Sequence, residues 1–472
     1  MSGGSPPAAP SFREAARFWI TLGFVNFGGP SGQIALMHTE LVDRRRWIDE
    51  DRFLHALSFC TLLPGPEAQQ LAIYVGWLLH RTRGGILAGV AFVLPSFFLI
   101  LGLSWVYAVH GSLDWVAGAF AGLSAGVLGM VADALLRIGT RALRTRTARA
   151  LAVAAFVAIF ALGVPFPAVV LFAGALGLVV ERLRPGTLGT ARTSDPTSGP
   201  TSGKSPGPTS GRTSGRTPGV AAHDQGDDVP AHARPSRGRA ARVLATGVAV
   251  WWIPLVAVAL WRGGGDTLTQ EAFFFSGAAV VTFGGAYAVL AYANQAAVTR
   301  FGWLAPTDVT AGLGLAESTP GPLIMVLEFV GFLAAYRFPG DLPPLMAGVL
   351  GAVVTVWATF APCFLWILLG APYVERVRGN RRVTAALGAV SAAVVGVIGS
   401  LALTFGVHVL FDTVRTRSPL GAPIPVPTLA SLDLFSLALA VTAFILVRRR
   451  TLNAALVTIG CGVAGIAWAL LR

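Results

Sequence analysis

Four short interruptions inside apolar stretches are the parts of this chain best suited to chemistry. They are Phe27-Gly28-Gly29-Pro30, Pro64-Gly65-Pro66, Phe283-Gly284-Gly285 and Pro320-Gly321-Pro322. Proline cannot continue a helical hydrogen-bond ladder, and glycine lets a ligand approach the backbone closely. The residues after each break begin a new helix whose first N–H groups lack internal partners, where the helix dipole places about half a positive charge. Such an end binds an anion without lysine or arginine. Donor side chains flank the breaks: Asn26, Ser31 and Gln33 at the first, Gln69 and Gln70 at the second, Thr282 and Tyr287 at the third, Ser318 and Thr319 at the fourth. With Gly28, Gly29, Pro64, Gly65, Pro66, Gly284, Gly285 and Gly321 they form the candidate binding set. Four helix ends aimed at one cavity suit a tetrahedral dianion. The competing reading is that these residues are only kinks and packing contacts, since Gly and Pro are frequent in transmembrane helices. Their duplicated placement favours the functional reading.

Carboxylates accompany the breaks. Glu67 follows Pro66, Glu317 precedes Pro320, and Glu328 lies deeper in the following helix. Intramembrane carboxylates are costly and usually functional, so all three are candidates for carrying a coupling proton or cation. Glu67 has a structural alternative as the favoured anion at a helix N-terminus. His38 and Arg52 read as interfacial charges. Cys60, Cys363 and Cys461 are scattered without ligand spacing, and the chain carries no HExxH, GxSxG or Walker-type motif. An enzyme, a metal, a cofactor and ATP drive are therefore not expected.

The elements that hold these residues follow from composition. Of 472 residues 54% are hydrophobic and only 12% charged, about half the charge of a soluble domain. Residues 87–107, 116–136, 243–260, 385–407 and 454–471 are apolar runs long enough to cross a bilayer. The net charge of +13 sits in arginine-rich loops between such runs. That is the positive-inside bias of an inner-membrane protein and implies no nucleic-acid partner. The start MSGGSPPAAP has no basic region or cleavage signal and reads as disordered.

The chain also repeats itself. Phe27-Gly28-Gly29 and Phe283-Gly284-Gly285 are offset by 283 − 27 = 256, and the same offset superposes Arg44 on Arg300, Trp47 on Trp303 and Pro64-Gly65-Pro66 on Pro320-Gly321-Pro322. Further on, LPSF at 94–97 resembles APCF at 361–364, and GVLG at 126–129 resembles GVIG at 396–399. The expected organisation is a disordered N-terminus (1–11), a first repeat (12–183), a Thr/Ser/Gly/Pro-rich disordered linker (184–242), a linking helix (243–264) and a second repeat (265–472). With basic loops inside, the linking helix is a single unpaired crossing that inverts the second half. The fold class is thus an all-α polytopic membrane protein, an inverted-topology repeat with its site near the midplane. Arg415 and Arg417 in an outer loop are the exception to the charge pattern. Arginines close both opening segments of the first half, at 44–46 and at 81 and 83, which favours re-entrant hairpins over full crossings. Non-helical backbone at membrane depth must be buried in protein or line a water-filled cavity.

At these residues the chain resembles the chromate ion transporter family. The likeness rests on FGGPSGQIALMHTELVDRRRW, LPGPEAQQLAIYVGW and FVLPSF in the first half, with TFGGAYAVL and GLGLAESTPGPLIMVLEFVGF in the second. The resemblance implies a fused duplicate with antiparallel halves that expels chromate, driven by membrane energy. It marks Gly28, Gly29, Pro30, Gln33, Pro64, Gly65, Pro66, Glu67 and Gln70, with Gly284, Gly285, Glu317, Pro320, Gly321 and Pro322, as pathway residues without assigning roles. The long polar linker departs from the family pattern. Implied partners are chromate, or sulfate as a dianion of the same shape, with protons or a counter-anion and the lipid bilayer. An anion channel is the alternative mechanism, and pairing of two copies is left open.

Overall fold

The computed structural model describes residues 10–26, 29–61, 63–111, 113–183, 236–281, 286–373, 381–417, 424–449 and 454–471. Nearly all are helical. The first half holds α1 (Phe12–Val25), α2 (Gly29–His38), α3 (Glu50–Cys60), α4 (Glu67–His110), α5 (Asp114–Ala142), α6 (Arg146–Phe160) and α7 (Phe166–Leu183). After α8 (Arg237–Arg262) come α9 (Thr267–Val281), α10 (Ala286–Gln295), α11 (Pro306–Ser318), α12 (Val326–Arg337), α13 (Pro344–Gly370), α14 (Arg381–Leu410), α15 (Leu434–Arg448) and α16 (Ala454–Leu471). Helix α8 begins at Arg237, six residues inside the stretch expected to be linker; Arg and Ala are strong helix formers and carry the helix past its apolar part. Residues 1–9 and 184–235, expected to be disordered, lie outside the described residues.

Among the described residues six helices, including α4, α5, α13 and α14, are long and apolar enough to cross a membrane. Large apolar side chains such as Leu171 and Phe172 (each 69% exposed) and Leu260 (82%) face outward. Such a surface is stable only against lipid. The chain is a multi-pass membrane protein.

The first segment of each half turns back. Helix α2 continues into a π-helical stretch, Thr39–Arg44, whose return brings Trp47 against Phe18 of α1 with ring centres 5.2 Å apart. In the second half α10 continues into the π-helical Ala296–Arg300, and Trp303 packs on Phe274 of α9 at 6.1 Å. The turns match atom for atom. The Trp47 N–H donates to the Leu41 carbonyl and the Trp303 N–H to the Ala297 carbonyl, each at 2.8 Å. All these pairs stand at the 256-residue offset.

The second segment turns back as well. Helix α4 loses helical geometry at His80 and Arg81, the latter at φ +55°. The legs 67–79 and 82–110 then run antiparallel. A Cβ added to Gly76 would lie 2.5 Å from the Gly84 carbonyl oxygen, and one on Gly85 3.0 Å from that of Ile73. His80 Nε2 pairs with the Pro10 carbonyl at 2.9 Å, so the leg 67–79 returns to the side where α1 begins. In the second half α12 and α13 form this hairpin, and the Thr267 hydroxyl donates to the Phe338 carbonyl at 3.1 Å.

The remaining helices exchange partners. Helices α6 and α7 of the first half pack on α14 of the second, while α15 and α16 pack on α5. Glycines make the room. A Cβ on Gly396 would strike the Ala152 carbonyl oxygen and lie 2.8 Å from the Phe156 nitrogen, and one on Gly129 of α5 would lie 2.7 Å from the Phe444 nitrogen. Small residues at helix contacts are the usual basis of association in lipid. Buried Asp133 of α5 seals this joint, pairing with Arg448 of α15 at 3.2 Å and Arg137 at 3.5 Å. Arg415 and Arg417 lie in an antiparallel two-stranded hairpin, Val414–Arg417 with Ile424–Pro427. Apolar periodicity gave no sign of it.

We expect Gly396→Leu to pry α6 from α14 and cost about 1–3 kcal/mol, seen as a lower melting temperature of the detergent-solubilised protein. Gly460→Leu, where an added Cβ meets nothing within 4 Å, should leave melting unchanged. Equal melting of the two variants would contradict the exchange.

Candidate functional site

Backbone breaks from opposite halves meet. The Gly321 N–H donates to the Asn26 carbonyl at 2.8 Å, joining the fourth break to the first. Gln33, one turn into α2, turns its amide nitrogen onto the Gly321 carbonyl at 2.5 Å and toward the Asn26 carbonyl at 3.4 Å. Gly29 heads α2. At the second break the Gln70 amide nitrogen donates to the Pro64 carbonyl at 2.7 Å.

The two Pro-Gly-Pro motifs share one conformation, with φ +115° at Gly65 and +110° at Gly321. Only glycine adopts this readily. Each glycine also rests on the other half. A Cβ on Gly65 would lie 3.0 Å from the Cys363 sulfur of α13, and one on Gly321 would lie 2.7 Å from the Ser96 hydroxyl of α4. Ser96 and Cys363 are the matched third residues of LPSF and APCF. The pairing is therefore reciprocal. Sequence reading quoted both motifs without assigning these residues to the site, and their shared repeat position was the available signal.

The site is buried and rich in amides whose hydrogen-bonding capacity is only partly used. Asn26, Gln33, Gln69, Gln70 and Ser96 are each at most 1% exposed. Both side-chain atoms of Asn26, the Oε1 atoms of the three glutamines and the Ser96 hydroxyl have no partner among the described residues. Buried polar atoms are nearly always paired, so this group of unpaired ones beside open helix ends is a candidate place for a polar ligand. The first N–H groups after Pro66 and Pro322 add further donors.

The other candidates are placed as follows. Gln69 turns its nitrogen toward the Gly89 carbonyl, 3.5 Å away across the α4 hairpin. Ser318 and Thr319 donate their hydroxyls to the Leu315 carbonyl at 2.9 and 3.0 Å, closing the end of α11. Glu67 opens α4, buried Glu317 lies in the last turn of α11, and fully buried Glu328 lies in the first turn of α12. Gly28, Thr282, Gly284 and Gly285 fall outside the described residues, and the side chains of Ser31 and Tyr287 are likewise not described.

A cleft of about 840 Å³ approaches the first break between α1 and the returning arm of α2. Arg13, Arg17, Arg44 and Arg45 line it with Glu14 and Glu40, as does Val25, the residue before Asn26. Glu40 holds Arg44 at 2.6 Å and Arg45 at 3.4 Å.

A duplicated helical bundle with paired broken segments and buried amides defines a membrane transporter for a polar solute. The family model described as Chromate transporter matches residues 13–178 and 269–466, and the chain belongs to that family. It is 29% identical over 467 residues to a chromate transport protein of Pseudomonas aeruginosa, covering 98% of this chain and 93% of that one. It is 27% identical over 411 residues to the chromate transport protein of Cupriavidus metallidurans, covering 87% and 86%. A probable chromate transport protein of Synechococcus elongatus is 26% identical over 404 residues, covering 86% and 87%. No solved structure matches.

Gly321→Ala should destabilise the protein by about 1–3 kcal/mol through its left-handed backbone and the clash with Ser96. Adding Ser96→Gly should restore part of the loss, with a coupling of about 0.5 kcal/mol or more in melting experiments. Strictly additive effects would disprove the contact between halves.

Proposed function

We propose that this chain is a secondary transporter exporting chromate from the cytoplasm across the inner membrane, with the oxyanion held by broken-helix ends and buried amides near the midplane. The observation carrying this reading is the junction of Asn26, Gln33 and Gly321, where two breaks from opposite halves touch beside unpartnered buried amide atoms. Amides and helix N-termini bind a dianion yet release it, whereas a tight cluster of guanidinium groups would hold it too strongly for turnover.

Inversion of the second half completes the cycle. With both opening segments of the first half re-entrant, its four crossings (the long leg of α4, then α5, α6 and α7) return the chain to its starting side. The lone α8 then carries the second half to the opposite side. Two sets of hairpins entering from opposite faces give a site reachable from either side in turn. The arginine cleft opens on the side of α1's start, and its charge gathers dianions there before binding. Protons or a counter-anion drive the export, with Glu67, Glu317 and Glu328 available for coupling. Sulfate, of the same shape and charge, is the competing substrate.

Everted vesicles containing the protein should accumulate labelled chromate when energised, and excess sulfate should compete if the site reads only shape and charge. Vesicles that hold folded protein and accumulate no chromate would overturn the assignment. Arg17→Gln should raise KM by roughly threefold at low salt, with the difference shrinking as salt screens the cleft. An unchanged KM at low salt would remove the cleft from the entry path.

A further inference from the structure

The second half holds a carboxylate that the transport reading does not use. Glu271, in α9, is 0% exposed, and neither of its side-chain oxygens has a partner among the described residues. Glycines give it space. A Cβ on Gly351 of α13 would lie 3.0 Å from Glu271 Oε2 and 2.5 Å from the Gly331 carbonyl oxygen of α12. A Cβ on Gly331 would strike the Thr355 hydroxyl, which is itself buried and unpartnered, as is that of Thr269. Glu328 lies three residues before Gly331 on α12, with 0% exposure and both oxygens unpartnered.

The surrounding charges are committed elsewhere. Arg262, at the end of α8, binds Asp266 at 2.9 Å and Asp341 at 2.5 Å. Arg337 of α12 grips Asp308 of α11 through two hydrogen bonds of 2.6 and 2.9 Å. Tyr336 on α12, Tyr292 on α10 and Cys363, the one titratable residue of α13, carry no positive charge. The first half shows what the fold itself requires here. At the 256-residue offset Glu271 falls on Ala15; past Pro322 the register drops by one, VGW at 75–77 matching VGF at 330–332, and Glu328 falls on Ile73, so both counterparts are buried apolar residues, at 2% and 0% exposure. Apolar side chains satisfy the packing, so the carboxylates cost stability that the architecture does not demand.

We infer that Glu271 is a proton-binding site which, with Glu328, forms a path for protons from the Arg262–Asp266–Asp341 cluster toward the Pro320-Gly321-Pro322 break. Each step is the gain or loss of one proton by a carboxyl group. Among the described residues no group of three or more His, Cys, Asp or Glu side chains could hold a metal ion. A proton needs one oxygen. This inference rests on the chromate reading for its substrate, and it assigns the driving ion and its residue, Glu271, to the second half.

The test uses the purified full-length protein in liposomes containing a pH-sensitive dye, with labelled chromate. Wild type should accumulate chromate under a pH gradient and move protons as it does so. Glu271→Gln should lower gradient-driven accumulation by about tenfold or more while chromate–chromate exchange without a gradient persists. Glu271→Ala, the residue of the first half at this place, should behave the same and keeps the test open should the amide misfold. Gradient-driven accumulation by both variants at the wild-type rate would overturn the inference, as would equal loss of exchange and accumulation. Wild-type chromate transport indifferent to the pH gradient would overturn it while leaving the chromate reading intact. No chromate movement by folded wild type would overturn both.

Discussion

The 2.8 Å hydrogen bond from the Gly321 N–H to the Asn26 carbonyl is the contact on which the rest of the arrangement turns. Both groups belong to backbone that has left its helix inside an apolar bundle, where an unpaired peptide costs several kcal/mol. Each half could have satisfied its breaks internally. Instead the first break is completed by the fourth, Gln33 reinforces the joint, and Gly65 and Gly321 each lean on the opposite half through Cys363 and Ser96. Neither half is then complete alone. Any rigid-body movement of one against the other must pass through the polar junction, which is where a solute can both sense and alter the balance of two states.

The outer helices make the same point by packing. Exchange of α6 and α7 for α15 and α16 places glycine-lined contacts between halves, where backbone lies against backbone. In lipid such contacts have no hydrophobic drive and depend on close fit. They form a close-fitting frame around the opening hairpins. The hairpins are short, interrupted and π-distorted at equivalent turns, so they are the natural place for local rearrangement.

What the sequence revealed and what it concealed divide along physical lines. The breaks, the repeat and the crossing helices were legible because Gly/Pro punctuation at a constant offset and long apolar runs are local signals. Arginine placement led to the expectation of hairpins, and the chain does fold back, Trp47 onto Phe18 and His80 onto Pro10. The exchange of outer helices was hidden, since a face packed on another helix and a face turned to lipid are equally apolar. Glu271 escaped notice because it lies in an unbroken run, far along the chain from the interruptions that drew attention. The pairing of Ser96 with Gly321 needed three dimensions, although the LPSF and APCF repeat contained its register.

Duplication supplies its own control experiment. At Phe18 and Phe274, Trp47 and Trp303, Gly65 and Gly321 the halves agree, and there the structure agrees to the individual hydrogen bond. Those positions define the scaffold. Where the halves disagree the scaffold is indifferent, and the difference reports on what each half does. Ala15 and Ile73 against Glu271 and Glu328 are such differences, as is Arg52 against Asp308. The first half keeps these core positions apolar, and the second buries acid groups there. One ancestral hairpin pair thus yields two halves that share a scaffold and differ in the charge they bury.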